Sequence, residues 1–154
     1  MVLANVITEQ TVKLDVSGVD KWTLIEELVD MIVASGKATD REALLTAVME
    51  REQQGSTGLE RGIAIPHARS EGVDGVVGAL AISADGIDFD SADGKPAHLI
   101  FLIVAPQHES TRYLKTLSAV TFIGRSENKT SRLISASSPG EVISVLEENG
   151  DPSL

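Results

Sequence analysis

The chain has 154 residues, of which 42% are hydrophobic and 23% charged, so we expect one globular domain that spans residues 1–154. Its net charge of −10 and its 3% aromatic content argue against a nucleic-acid partner, because nucleic acids favour clustered basic and aromatic side chains. The absence of cysteine excludes a disulfide framework, a cysteine nucleophile and thiolate metal ligands.

Neither a signal peptide nor a membrane span is predicted. The longest apolar stretch, AHLIFLIVAP, is too short to cross a bilayer. The N-terminal residues MVLANVITEQTVKLD lack a basic start followed by a long apolar core. We therefore expect a cytoplasmic protein without direct membrane insertion, whose partners are proteins or small molecules.

The first half of the chain predicts a short strand and two helices. Residues 12–16 alternate apolar and polar side chains, which is typical of an edge strand. Apolar residues at helical spacing predict a helix from Asp20 to about Ser35, with Gly36 as its C-terminal cap. A second helix is predicted from Asp40, its N-cap, to about Gln53. The segment QGSTGLERG, residues 54–62, has three glycines in nine residues and predicts a loop.

The second half predicts further strands and two more helices. Strands are expected at 62–65, 76–82 and 98–104, and the last is apolar on both faces, as a central strand covered by helices would be. A helix is expected over 110–124. Another begins at Ser138, with Pro139 at the first helical position and Glu141 completing a capping box. This alternation of elements predicts an α/β fold.

Common catalytic motifs are absent from the sequence. It contains no G-x-S-x-G elbow and no glycine-rich loop that ends in Gly-Lys-Ser/Thr. The three histidines, His67, His98 and His108, lie too far apart in sequence to form a short metal motif. We expect no metal and no cofactor.

His67 has a more specific setting than the other two histidines. His98 opens the apolar strand, where a packed or edge-exposed ring is expected, and His108 falls in an exposed loop. By contrast, Pro66 has a fixed φ and biases the residue before it towards extended geometry, so His67 projects from a rigid shoulder. From these features alone, a functional and a structural role for His67 are equally supported.

A histidine in this setting suits phosphoryl chemistry. A neutral imidazole nitrogen is a good nucleophile towards phosphorus. A histidine that holds a phosphoryl group also needs guanidinium or hydroxyl donors nearby. Arg51, Ser56 and Thr57 have the right donor types, provided that the loop folds back beside His67.

The segment REQQGSTGLERGIAIPHAR, residues 51–69, resembles the IIA phosphocarrier domains of the bacterial phosphoenolpyruvate-dependent phosphotransferase system. The likeness is to the fructose/mannitol and nitrogen-regulatory branch, and it continues through IDFDSADGKPAHLIFLIVAP and YLKTLSAV. In length the chain resembles the free-standing nitrogen-regulatory members. The resemblance implies a sandwich of helices around a small mixed β-sheet.

The resemblance also implies roles for individual residues. His67 would be phosphorylated on Nε2, while Arg51 and the Ser56-Thr57 loop would contact the phosphoryl group. Family members usually have a second histidine beside the active one, and here that position corresponds to Tyr113, whose hydroxyl could donate but carries no positive charge. A further departure is Leu59-Glu60 where the family often has Ile-Gly, which places a carboxylate near the site.

Two functions follow as hypotheses. In the first, the protein is a phosphoryl carrier rather than a stand-alone enzyme. It accepts the group from a histidine phosphocarrier protein and passes it to a IIB protein, or uses it as a regulatory signal. In the second, the protein is a regulatory binding module of the same fold with slow or no phosphorylation, which Tyr113 and Glu60 would favour.

Overall fold

The computed structural model describes residues 2–148, which form α-helices packed on both faces of one β-sheet. Short 3₁₀ segments lie at Glu9–Thr11 and Gln107–Glu109. The helices are α1 (Val2–Val6), α2 (Lys21–Ala34), α3 (Arg41–Gln54), α4 (Ser110–Gly124), α5 (Glu127–Ile134) and α6 (Pro139–Glu147). The strands are β1 (Val12–Lys13), β2 (Ile63–Ala64), β3 (His67–Arg69), β4 (Val77–Ile87) and β5 (Ala97–Ala105).

The sheet is mixed, with β5 at its centre. On one side β5 pairs with β4 in antiparallel register, and β1 lies beyond β4 as a parallel edge strand. On the other side β2 and β3 both run parallel to β5, one after the other along its length. The edge position predicted for β1 and the central position predicted for residues 98–104 are confirmed.

The two faces of β5 explain why its sequence is apolar from Leu99 to Ala105. Phe101 and Ile103 belong to a hydrophobic cluster that contains residues of α1, α4, α5 and α6. Ile100 and Leu102 belong to a second cluster, with residues of α2 and α3. Because successive side chains of a strand point to opposite faces, the part of a strand that is covered on both sides is expected to be apolar at every position, as residues 99–105 are. The predicted sandwich of helices around a small mixed sheet is therefore confirmed, and the assignment of residues 1–154 to one domain stays a prediction.

The predicted helix caps are confirmed, with one difference in detail. The carboxylate of Asp40 accepts a hydrogen bond from Ala43 N at 3.1 Å, and Gly36 has the left-handed φ of +82° expected after a helix. Asp20, which was predicted only as the start of α2, also caps its helix by accepting from Thr23 N at 2.8 Å. At α6, Ser138 Oγ accepts from Glu141 N. The Glu141 carboxylate, however, accepts from the backbone N–H of Ser137, one residue earlier than a standard capping box requires.

Some elements differ from the prediction. β1 has two residues rather than five because the chain turns at Asp15, which has a positive φ of 55°. β4 extends past Ile82 to Ile87, across a register shift against β5. α1, α5 and β3 were not predicted. α5 has eight residues, and its two apolar residues, Leu133 and Ile134, are adjacent at its end, so no apolar spacing of three or four residues marks this helix.

We expect truncation of a central β5 side chain to destabilise the fold strongly. Leu102 is fully buried, so Leu102→Ala leaves a cavity and should lower the free energy of unfolding by about 2–5 kcal/mol. Leu114→Ala is the matched control, because Leu114 is 59% exposed and its loss should cost no more than about 0.5 kcal/mol. Urea denaturation of both variants measures the difference. Equal losses would contradict the central position of β5.

Candidate functional site

His67 is the first residue of β3, directly after a break in the parallel edge of the sheet. β2 ends at Ala64, and β3 resumes on the same neighbour with His67 opposite Ile103. Across the break, the carbonyl of Pro66 accepts a hydrogen bond from Ile103 N at 3.0 Å. The missing N–H of Pro66 therefore falls where the pairing is interrupted, and the half-buried His67 side chain is held by backbone contacts on both sides.

The hydrogen bonding of the His67 ring distinguishes its two nitrogens. Nδ1 lies 2.6 Å from the carbonyl oxygen of Ile65. Since a carbonyl can only accept, Nδ1 carries the hydrogen, and the lone pair of the neutral ring is on Nε2. Nε2 has no hydrogen-bond partner among residues 2–148. The ring is thus oriented by its own backbone, with Nε2 as the nucleophilic atom.

A surface groove of about 790 Å³ brings together four of the five side chains predicted for the site. His67, Arg51, Ser56 and Thr57 all line it. Its opposite wall is the exposed face of α4, from Leu114 to Arg125. The loop at residues 54–62 therefore folds back beside His67. This was the condition for Arg51, Ser56 and Thr57 to act as donors there.

Arg51 enters this groove from the last turn of α3. Its Nη1 donates to the carbonyl of Gly55 at 3.0 Å, which orients the guanidinium along the loop. No carboxylate lies within ion-pair distance of Arg51 in the described part of the chain. The remaining donors of its fork are free for an anionic group.

The hydroxyls of Ser56 and Thr57 hold the loop in place. Ser56 Oγ donates to the carbonyl of Phe89 and accepts from Gly58 N at 2.9 Å. Thr57 is buried, and its Oγ1 donates to Glu52 at 2.6 Å. Both hydroxyl hydrogens are therefore engaged within the protein, and contact with a phosphoryl group would require either bond to rearrange.

A buried ion pair beneath the loop was not foreseen as part of the site. Glu52 is 3% exposed and Lys21 is 7% exposed, and their charged atoms lie 3.1 Å apart. The Glu52 carboxylate also accepts from the backbone N–H and the hydroxyl of Thr57. The only sequence signal was the position of Glu52 next to Arg51 in the matched motif, since Lys21 lies 31 residues away.

Tyr113, on α4, lies behind His67 rather than among the residues that line the groove. Its ring centroid is 6.3 Å from that of His67, and its side chain is 5% exposed within the hydrophobic cluster of that face. Burial raises the pKa of the Tyr113 phenol above its usual value, and the positive charges of Arg69 and Arg51 partly oppose that rise. Tyr113 is thus both a packed residue and a neighbour of the site's cations.

The remaining histidines and Glu60 lie outside the groove. His98 is partly buried, with Nδ1 2.9 Å from the carbonyl of Ser83, as expected for a packed ring. His108 is exposed and borders a separate hollow. Glu60 is exposed on the turn before β2 and also lines neighbouring hollows, so its carboxylate does not enter the groove of His67.

The described residues show neither a metal cluster nor a membrane helix. Between residues 2 and 148, no group of three or more histidine or carboxylate side chains is placed to hold a metal ion. None of the helices in that range has both the length and the apolar composition needed to cross a bilayer.

The fold and the groove at His67 agree with the resemblance described for residues 51–69, and comparison with known protein families identifies the family. The model of the phosphoenolpyruvate-dependent sugar phosphotransferase system, EIIA 2, matches residues 5–149. The chain therefore belongs to this family, as the resemblance of residues 51–69 predicted. This membership supports a phosphocarrier role.

The similar proteins include fructose-specific components and a nitrogen regulatory protein. The fructose-specific EIIA component of Haloferax volcanii is 37% identical over 146 residues, which are 95% of each chain. The fructose-specific EIIABC component of Bacillus subtilis is 35% identical over 149 residues, and the chain spans 24% of its length. The crystal structure of nitrogen regulatory protein IIA-Ntr from Neisseria meningitidis superposes with a TM-score of 0.81 at 29% identity, covering 95% of this chain and 99% of that one.

We expect the Lys21–Glu52 pair to matter most when only one charge is removed. Glu52→Gln leaves Lys21 buried with only the exposed Asp90, 3.7 Å away, and should cost about 3 kcal/mol of unfolding free energy. Glu26→Gln is the control, because Glu26 pairs with Arg41 at the surface and should change stability by less than about 1 kcal/mol. Chemical denaturation measures both. Similar losses of unfolding free energy in the two variants would show that the buried pair contributes no more to stability than a surface pair.

The titration of Tyr113 can be observed directly, because it is the only tyrosine in the chain. Its raised pKa predicts that tyrosinate absorbance at alkaline pH develops above the ordinary midpoint of 10.0. Since the folded pKa lies above the unfolded one, this phenol stabilises the fold below about pH 10 and loses that contribution as the pH rises through the folded pKa. A midpoint at or below 10.0 in the folded protein would contradict the burial of the phenol.

Proposed function

We propose that this protein is a phosphocarrier that accepts a phosphoryl group on Nε2 of His67 from a histidine phosphocarrier protein. The observation that carries the proposal is the orientation of the His67 ring. The Ile65 carbonyl fixes the hydrogen on Nδ1, so the nucleophilic lone pair is on the nitrogen that has no partner in the described structure.

The proposed transfer is an in-line displacement between two imidazoles. The Nε2 lone pair of His67 attacks phosphorus and forms a new N–P bond, while the N–P bond of the donor phosphohistidine breaks and returns its electron pair to the donor ring. His67 keeps its hydrogen on Nδ1 throughout, where the Ile65 carbonyl stabilises the positive charge that develops on the ring.

Arg51 is the side chain that we propose as the main contact of the phosphoryl oxygens. Its guanidinium lines the same groove, has no ion-pair partner among the described residues, and matches phosphate in geometry. We propose that Ser56 and Thr57 mainly hold the loop in place. Their hydroxyls would contact the phosphoryl group only after their present hydrogen bonds rearrange. Tyr113 is packed outside the groove lining, so its hydroxyl would also contact the phosphoryl group only after rearrangement, through one neutral hydrogen bond worth about 0.5–1.5 kcal/mol.

The acceptor that we propose is a IIB protein of a fructose-type system. The fructose-specific relatives are 37% and 35% identical to this chain, whereas the nitrogen regulatory structure is 29% identical. A regulatory use of the phosphorylated state remains the second possibility, since the nitrogen regulatory structure covers nearly the whole chain.

The alternative of a binding module without phosphorylation has less support than the sequence suggested. Its two grounds were Glu60 and Tyr113. Glu60 lies outside the groove of His67, so it does not place a negative charge beside the phosphoryl group. Tyr113 does lie next to His67, and it leaves the nucleophile and Arg51 in place.

Incubation with phosphoenolpyruvate, enzyme I and the phosphocarrier protein tests the proposal. Intact mass of the wild type should increase by one phosphoryl group, and His67→Ala should abolish this gain while the circular dichroism spectrum stays unchanged. His98→Gln and His108→Gln are the controls and should be phosphorylated normally. A wild type without mass gain would favour the binding module, and acid-labile phosphate on His98 or His108 would overturn the assignment of His67.

Arg51→Lys tests the role of the guanidinium separately from its charge. Lysine keeps the positive charge but loses the planar fork, so phosphorylation should slow by about tenfold or more. The melting temperature should change little, because Arg51 makes a single hydrogen bond to an exposed carbonyl. Equal phosphorylation rates for both proteins, measured by mass over time, would remove Arg51 from the site.

A further inference from the structure

A second arginine near the nucleophile, Arg69, lies on the same strand as His67. The two residues are separated by one position in β3, so their side chains leave the strand on the same face. Arg69 is half-buried, and no carboxylate lies within ion-pair distance of it among residues 2–148. A guanidinium held without a counter-ion beside a nucleophile can contribute charge to the reaction.

The guanidinium of Arg69 is held by two neutral residues, Gln107 before α4 and Ser110 at its start. Its Nη1 donates to Ser110 Oγ at 2.7 Å and lies within 3.4 Å of two oxygens of Gln107. The nearby carboxylate of Glu71 is engaged elsewhere, since it accepts from the backbone N–H of Gln107 at 2.9 Å. Arg69 thus has a defined position and an unneutralised charge.

Tyr113 connects this charge to the nucleophile. The Arg69 guanidinium carbon lies over the Tyr113 ring, 4.8 Å from its centroid, and the same ring is 6.3 Å from the ring of His67. The charged groups that act on the phenol come from two elements, Arg69 of β3 and Arg51 of α3. Arg51 and Arg69 therefore act on one small region that contains both Tyr113 and His67.

We infer that Arg69 is a positioning residue for phosphoryl transfer, which supplies through Tyr113 a permanent positive charge behind His67. This inference rests on the proposed function of His67. The phosphoryl group is an anion, and a fixed cation in a partly buried position stabilises it without any change in protonation. Because guanidinium stays protonated at every physiological pH, this support would be constant across the neutral range, although Tyr113 itself is neutral there.

The first test measures the Arg69–Tyr113 contact without any phosphorylation. Arg69→Gln removes the charge but keeps an amide that can bond to Ser110 and Gln107, and it should raise the tyrosinate midpoint of Tyr113. Arg69→Lys should leave the midpoint near that of the wild type. Arg112→Gln is the matched control, because it removes the same charge from the exposed position of α4 next to Tyr113, whereas the opposing charges on the phenol pKa are those of Arg69 and Arg51. Equal midpoints for Arg69→Gln and the wild type would overturn the contact.

The second test measures phosphoryl transfer from the phosphocarrier protein in the same three variants. Arg69→Gln should be phosphorylated about tenfold more slowly, a smaller loss than the roughly 10²-fold expected for removing a direct donor. Arg69→Lys should recover most of the rate and Arg112→Gln all of it. Added salt should slow the wild type more than Arg69→Gln, because screening acts on a charge that the variant lacks.

The outcomes separate this inference from the proposed function. If wild-type protein gains no phosphoryl group, the proposed function fails, and the tyrosinate titration still reports on the contact. If the wild type is phosphorylated and Arg69→Gln matches it in rate and in salt dependence, the role of Arg69 is overturned while that of His67 stands. Loss of rate in both Arg69→Gln and Arg69→Lys, with unchanged salt dependence, would also overturn it in favour of a purely structural contact.

Discussion

The buried pair of Lys21 and Glu52 is the interaction on which the geometry of the site depends. One Glu52 carboxylate joins the start of α2, through Lys21, to the loop after α3, through both the N–H and the hydroxyl of Thr57. Removing two charges from water is costly, so such a pair is weak evidence for stability by itself. Its value here is specificity, because another loop conformation would leave the buried Glu52 carboxylate without its two hydrogen bonds from Thr57.

This arrangement also separates two adjacent side chains. Glu52 points into the protein, while Arg51, one residue earlier on the helix, reaches the groove and rests on the carbonyl of Gly55. His67 is positioned independently, by its own backbone through Ile65 and by the pairing of β3 with β5. The guanidinium and the imidazole thus have separate supports. A change in the loop can displace Arg51 without rotating the histidine.

Sequence reasoning predicted what depends on neighbours in the chain. The caps at Asp40 and Ser138, and the doubly covered strand β5, follow from local residue types and from a period of two. α5 was not predicted because its two apolar residues, Leu133 and Ile134, are adjacent and show no helical spacing. β3 was not predicted because a proline precedes it, and only its pairing with β5 makes it a strand.

The site was predictable in part for the same reason. The motif around His67 carries the nucleophile and Arg51 within 17 residues of sequence, so a resemblance could identify them. Lys21 could not be identified in this way, because it lies outside that segment and its partner Glu52 is 31 residues away. Arg69 ends the same segment, but the role proposed for it depends on Tyr113, which is 44 residues away in the chain.

The loop that lines the groove also covers the outer edge of β2. Leu59 N donates to Ile63 O, Ile65 N donates to Thr57 O, and Gly58 bridges to Ala64. An uncovered strand edge offers unpaired backbone groups to other chains, and proteins commonly aggregate through such edges. Here the segment that shapes the proposed phosphoryl site satisfies those groups, with Pro66 interrupting the edge beyond it. Selection for activity and selection for solubility therefore act on the same few residues, and a variant that loosens the loop would become prone to self-association as it loses its chemistry.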